Sequence, residues 1–171
     1  MDFNRYISAA EFAPLAELFR REGESLSVPK DGCFSFQQVR NRCSGLVEEG
    51  AFRYVHATEA GERHVVGYAF AGEFVGDYIS MRNDVPAWVS IEAMCDSELY
   101  GISKARLEAL YAGSVELANL GRRLFEQQFL GLESWMITGG SPRAEERYLT
   151  LLEENPELLQ YVPLKHIASY L

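Results

Sequence analysis

Between Leu26 and Ile102 no apolar pattern lasts longer than a short strand before a turn residue breaks it. Leu26–Val28 runs into Pro29-Lys30-Asp31-Gly32, where proline sets φ and glycine accepts a positive one. Cys33–Phe36 follows, Leu46–Glu48 stops at Gly50, and Phe52–His56 alternates with a period of two. Thr58-Glu59-Ala60-Gly61-Glu62 reads as a hairpin loop into Arg63–Phe70, and Trp88–Ala93 and Glu98–Ile102 complete the series. Strands this short, at this spacing and with these turn signals, predict an antiparallel sandwich or barrel.

Helices flank the strands. Ser8-Ala9-Ala10-Glu11 is a capping box, Phe12, Leu15, Leu18 and Phe19 recur at helical spacing, and Gly23 stops the run. Ser103 caps a second helix bearing Leu107, Leu110 and Tyr111, which Gly113 interrupts. A long helix then runs from about Ser114 to Trp135, with Leu117, Leu120, Leu124, Phe125, Gln128, Leu132 and Trp135 on or near one stripe. So long and narrow a stripe suits a seam between two copies of the helix, or packing on the sheet. Periodicity leaves both open.

Gly139-Gly140 is a hinge by composition. Ser141-Pro142 opens a helix carrying Tyr148, Leu149, Leu151 and Leu152, which Asn155-Pro156 ends. Val162-Pro163 starts another, Leu164 to Leu171.

The 171 residues, 47% hydrophobic, suffice for a core and suggest one domain with a small appendage. A formal charge of −9 argues against non-specific nucleic-acid binding through the surface at large. Cys33, Cys43 and Cys95 cannot all pair and form no C-x-x-C, which fits free thiols in a reducing compartment. The N-terminus lacks the apolar stretch of a signal peptide, and no run approaches a membrane span. A cytoplasmic protein without membrane contact is the expectation.

The stretch most suggestive of chemistry is Ala71-Gly72-Glu73-Phe74-Val75-Gly76-Asp77-Tyr78, followed by a polar loop and Ala87-Trp88-Val89. Glycines where strand gives way to helix let backbone N–H groups approach an anion. Placed after many strands and before a long helix, this stretch resembles the phosphate-binding cassette of the cyclic-AMP-receptor/Fnr (Crp/Fnr) family of bacterial transcription regulators. Gly72 to Asp77 resembles the cassette's start, Ala87-Trp88-Val89 its end, and the resemblance covers essentially the whole chain.

The resemblance implies an α+β fold: a cyclic-nucleotide-binding-like antiparallel β-roll (residues 1–112), a long dimerisation helix (113–138) and the start of a winged helix-turn-helix domain (139–171). It implies a homodimeric, non-enzymatic DNA-binding transcription regulator, with RNA polymerase as a further contact. Leu117, Leu120, Leu124, Gln128, Leu132 and Trp135 would form the dimer seam. Leu164 to Leu171 resembles the first helix of the helix-turn-helix, so a recognition helix is expected beyond Leu171. In that reading the acidic balance of 143–171, where Arg143, Arg147 and Lys165 face five glutamates, carries little weight.

The cassette departs from the family's pattern. In cyclic-nucleotide-binding relatives an acid after the second glycine takes the ribose hydroxyl, and an Arg followed by Ser or Thr before the Ala holds the phosphate. Here Asp77 stands at the acid position, and Val85-Pro86 occupies the Arg-Ser position before Ala87. A buried phosphodiester needs a charge-assisted donor fork, and Pro86 also removes a backbone N–H. Arg82 lies in the connecting loop at a different spacing. The expected effector site, built on Gly72, Glu73, Val75, Gly76, Asp77, Arg82, Val85, Pro86, Ala87 and Trp88, would therefore take an effector other than cyclic AMP, or serve structurally.

Two other readings follow from the residues: a ligand-binding or scaffolding β-roll dimer without DNA binding, and a cupin-like metalloenzyme using His56, His64 and Glu62. The latter lacks the H-x-H pattern and further ligands such sites use. No metal site and no cofactor is expected.

Overall fold

The computed structural model describes residues 9–138 and residue 149. The cap expected at Ser8, the hinge at Gly139-Gly140 and the helices expected after it lie outside the described residues, Leu149 aside. So does the Trp135 side chain.

In chain order the elements are α1 (Ala9–Glu22), β1 (Glu24–Val28), β2 (Cys33–Ser35), β3 (Cys43–Glu49), β4 (Ala51–Ala57), β5 (Arg63–Phe70), β6 (Phe74–Val75), α2 (Tyr78–Asn83), β7 (Ser90–Ala93), β8 (Ser97–Ser103), α3 (Lys104–Gly113) and α4 (Val115–Thr138). Two four-stranded antiparallel sheets form, ordered β1-β8-β3-β6 and β2-β7-β4-β5. This is the antiparallel two-sheet arrangement predicted from the strand spacing, in the form of the α+β roll with flanking helices that the resemblance implies.

Side-chain alternation along each strand sorts the layers. In β3, Leu46 points to the helices and Val47 to the facing sheet; in β6 Phe74 and Val75 divide the same way, and in β8 so do Ile102 and Leu99. The first sheet is thus buried on both faces. One face shares a core with Phe12, Leu15, Leu18 and Phe19 of α1, Leu107 of α3 and Leu124 of α4. The other packs against Phe52, Tyr54, Ala69, Ile91 and Ala93 of the second sheet.

The stripe on α4 therefore has a partner inside its own chain. Leu124 is 6% exposed, and Leu117 and Leu120 pack on the same cluster. Farther along, Phe129, Leu130, Leu132 and Ile137 remain exposed. Arg122 pairs with Glu126, and Arg123 with Glu11 of α1.

Gly121 of α4 lies against the Tyr111 side chain of α3. A Cβ there would come within 2.5 Å of Tyr111 Oη. Gly121→Ala should displace Tyr111 and cost about 1–3 kcal/mol by overpacking. Urea unfolding would show a lower midpoint at unchanged slope; an unchanged midpoint would mean that Tyr111 has room to turn away.

Candidate functional site

The cassette begins with a closed turn. Gly72 adopts φ +85° with open space around it, a conformation that favours glycine. Its N–H donates to Val47 O (2.8 Å), and Glu73 Oε2 accepts from the Phe70 N–H (2.8 Å). The chain then pairs with β3 through Phe74–Val75, and the Gly76 N–H donates to Tyr54 Oη (3.3 Å).

Asp77 follows, 7% exposed, with both carboxylate oxygens engaged by backbone. Oδ1 accepts from the Ser80 N–H (2.9 Å) and caps α2; Oδ2 accepts from the Trp88 N–H (3.1 Å). One side chain thus ties the start of the cassette to its end. The buried Ser80 hydroxyl donates to Val85 O (2.5 Å) and accepts from the Asn41 N–H (2.9 Å). Pro86 bridges to Arg40, the Ala87 N–H donates to Val39 O (2.9 Å), and the Gln38 N–H donates to Ala87 O (2.8 Å). The Val85-Pro86-Ala87 segment is stitched to residues 38–41.

Between this cassette and the long helix lies a cavity of about 280 Å³, near the lower end of the roughly 300–1,000 Å³ usual for small-molecule sites. Val75, Gly76, Asp77 and Trp88 line it. Gly72, Glu73, Arg82, Val85, Pro86 and Ala87 are not among its lining residues. Arg82 is exposed, and its carbonyl accepts from Lys104 Nζ (3.2 Å).

Opposite the cassette the wall is α4, through Leu124, Phe125 and Gln128. The Tyr78 and Phe125 rings meet with centroids 3.8 Å apart, tilted by 31°, and tie α2 to α4. Burial pushes the Tyr111 phenol up to about 12, so it lines the cavity as a neutral hydroxyl. Sequence reasoning did not place Tyr54, Tyr111 or Gln128 in this cavity. The phenols carry no motif, and the stripe containing Gln128 reads equally well as a seam.

His56 and His64 are direct cross-strand partners, as the hairpin between them suggests. His56 Nδ1 lies 2.9 Å from Trp88 O and His64 lies 3.5 Å from Glu62. Among the described residues no cluster of three or more His, Cys, Asp or Glu side chains is arranged to hold a metal ion. No described helix is long and apolar enough to cross a membrane.

The three cysteines are free. Burial raises the Cys33 thiol, helped by Glu92, and pushes Cys43 up to about 11, with Glu24 adding to the effect. The thiolate is the nucleophile, so Cys43 should alkylate about 100-fold more slowly at pH 8 than a thiol of pKa 9. Its rate should climb about tenfold per pH unit up to its own pKa, because the raised pKa leaves the thiol protonated below it. Peptide-resolved iodoacetamide labelling checks this; rapid labelling of Cys43 at pH 8 would contradict the burial.

Residues 26–114, just over half of the chain, match the model of the cyclic nucleotide-binding domain. No curated protein matches the sequence significantly. Among solved structures, FixK2 from Bradyrhizobium japonicum superposes with a TM-score of 0.73 at 18% identity, over 87% of this chain and 77% of that one. The c-di-GMP-responsive regulator CLP of Xanthomonas campestris gives 0.62 at 18% identity, over 83% and 71%. The catabolite activator protein of Thermus thermophilus gives 0.62 at 18%, over 90% and 71%. Identities this low speak for the fold, and the family model makes the assignment: the chain belongs to the cyclic nucleotide-binding domain family.

Proposed function

We propose that this protein is a homodimeric, non-enzymatic transcription regulator of the Crp/Fnr type, working in the cytoplasm. The roll, residues 1–112, senses a small effector, the helix 113–138 dimerises, and the segment 139–171 begins the DNA-binding module. One observation carries the reading: the cavity is walled by the cassette on one side and by α4 on the other. Whatever fills it touches Leu124, Phe125 and Gln128, so a ligand that binds two settings of α4 unequally shifts the balance between them. Fold similarity to FixK2, CLP and the catabolite activator protein supports the same reading.

The dimer surface is assigned to the far half of α4. Leu124 is covered within the chain and Leu117 and Leu120 partly so, whereas Phe129, Leu130, Leu132 and Ile137 offer an apolar face. Phe129→Lys with Leu132→Lys should halve the mass seen by light scattering while leaving the circular dichroism unchanged. An intact dimer would remove that face from the proposal.

DNA binding is tested on the tagged product of the native gene, crosslinked to chromatin in its own cells. Discrete enriched sites sharing a two-fold motif are the expected result. A uniform background would overturn the regulator reading in favour of a ligand-binding or scaffolding dimer.

A further inference from the structure

Seven of the seventeen residues lining the cavity are aromatic, and none is Arg, Lys or His. The ionisable lining side chains are Asp77 and three tyrosines. An anion placed there would meet a carboxylate and no cation, and burying an unpaired charge is strongly unfavourable. Three of the cassette's backbone donors are engaged as well: the Gly76 N–H is bonded to Tyr54, and the Ser80 and Trp88 N–H groups to Asp77. An uncharged ring system meets none of these penalties.

The unmet capacity of the site points the same way. Trp88 is 66% exposed, and Tyr78 and Ile79 are also exposed at the cavity's edge. These are large apolar side chains that a ring compound would cover. Among the described residues the Gln128 carboxamide has no hydrogen-bond partner, so it offers both a donor and an acceptor at the α4 wall.

From this we infer that the cavity takes an uncharged, flat, ring-bearing small molecule, with Trp88 covering the ring and Gln128 meeting one polar substituent. The inference rests on the effector-sensing reading above and deepens it by excluding phosphodiesters and other anions.

The test uses the purified chain and the uncharged fluorophore N-phenyl-1-naphthylamine. Saturable binding of one probe per chain is expected, weakened about tenfold by Trp88→Ala; because Trp88 is surface-exposed, the variant should retain its fold. At pH 7 neutral 2-naphthol should displace the probe. The 2-naphthoate anion should need at least tenfold more, and cyclic AMP should not compete at millimolar concentration.

Equal competition by naphthol and naphthoate, or probe binding indifferent to Trp88→Ala, overturns the inference. If calorimetry shows cyclic AMP binding while naphthol fails, the ligand class assigned here is wrong and an effector-sensing roll still stands. If none of the four compounds binds, this inference and the sensing half of the proposed function fall together, and the chromatin result decides DNA binding separately.

Discussion

Asp77→Ala should unfold well below the parent protein in the absence of any ligand. The substitution removes the cap of α2, worth about 1 kcal/mol, and leaves the part-buried Trp88 N–H without its acceptor, a loss of about 1–3 kcal/mol. A combined loss of about 2–4 kcal/mol corresponds to a midpoint lower by roughly 5–15 °C for a chain of this size. Asp77→Asn should fall between the two. Its single carbonyl can serve either Ser80 or Trp88, and its NH₂ then faces the other donor. Scanning calorimetry on the ligand-free protein decides the matter. An unchanged midpoint in Asp77→Ala would mean that the carboxylate is held ready for a ligand and contributes nothing to closing the cassette.

The second large effect concerns α4. Leu124→Ala should cost about 2–5 kcal/mol, as for a leucine removed from a packed interior. Leu132, 38% exposed, should tolerate alanine within about 0.5 kcal/mol in the monomer. Urea denaturation at two protein concentrations separates the roles. A Leu132 effect that arises through dimerisation depends on protein concentration, whereas the Leu124 effect is the same at both. Equal, concentration-dependent losses at the two positions would place Leu124 in an interface after all.

How far the sequence alone reached differs by element. Alternation in Phe52–His56 and the Thr58–Glu62 loop into Arg63–Phe70 led directly to β4 and β5, down to the pairing of His56 with His64. Short or polar segments were harder. β6 is two residues inside what reads as a glycine turn, and β3 begins at Cys43, ahead of its apolar stretch. Trp88 reads as strand, yet β7 starts at Ser90; the Trp88 N–H is held by Asp77, a contact eleven residues away that no local pattern announces. The α4 stripe was legible as a stripe. Which surface covers it was not, because burial by one's own sheet and burial by a second copy impose the same spacing. For the candidate site, Val85-Pro86 was readable, and so was its difference from the Arg-Ser pair that the resemblance leads one to expect there. The stitching of that segment to residues 38–41 depends on a strand partner far away in sequence and was not.

The core that unites α1 with α4 also has a consequence for synthesis. Glu11 and Arg123 pair across 112 residues, and Leu124 closes the cluster that Phe12 and Leu15 begin. At the usual pace of translation the ribosome needs about 6–20 s to pass from one to the other. During that interval α1 has left the ribosome, or is leaving it, with Phe12, Leu15, Leu18 and Phe19 uncovered. The first of the described helices is therefore among the last to find its complete set of neighbours, and its apolar face stays open to other contacts until α4 arrives.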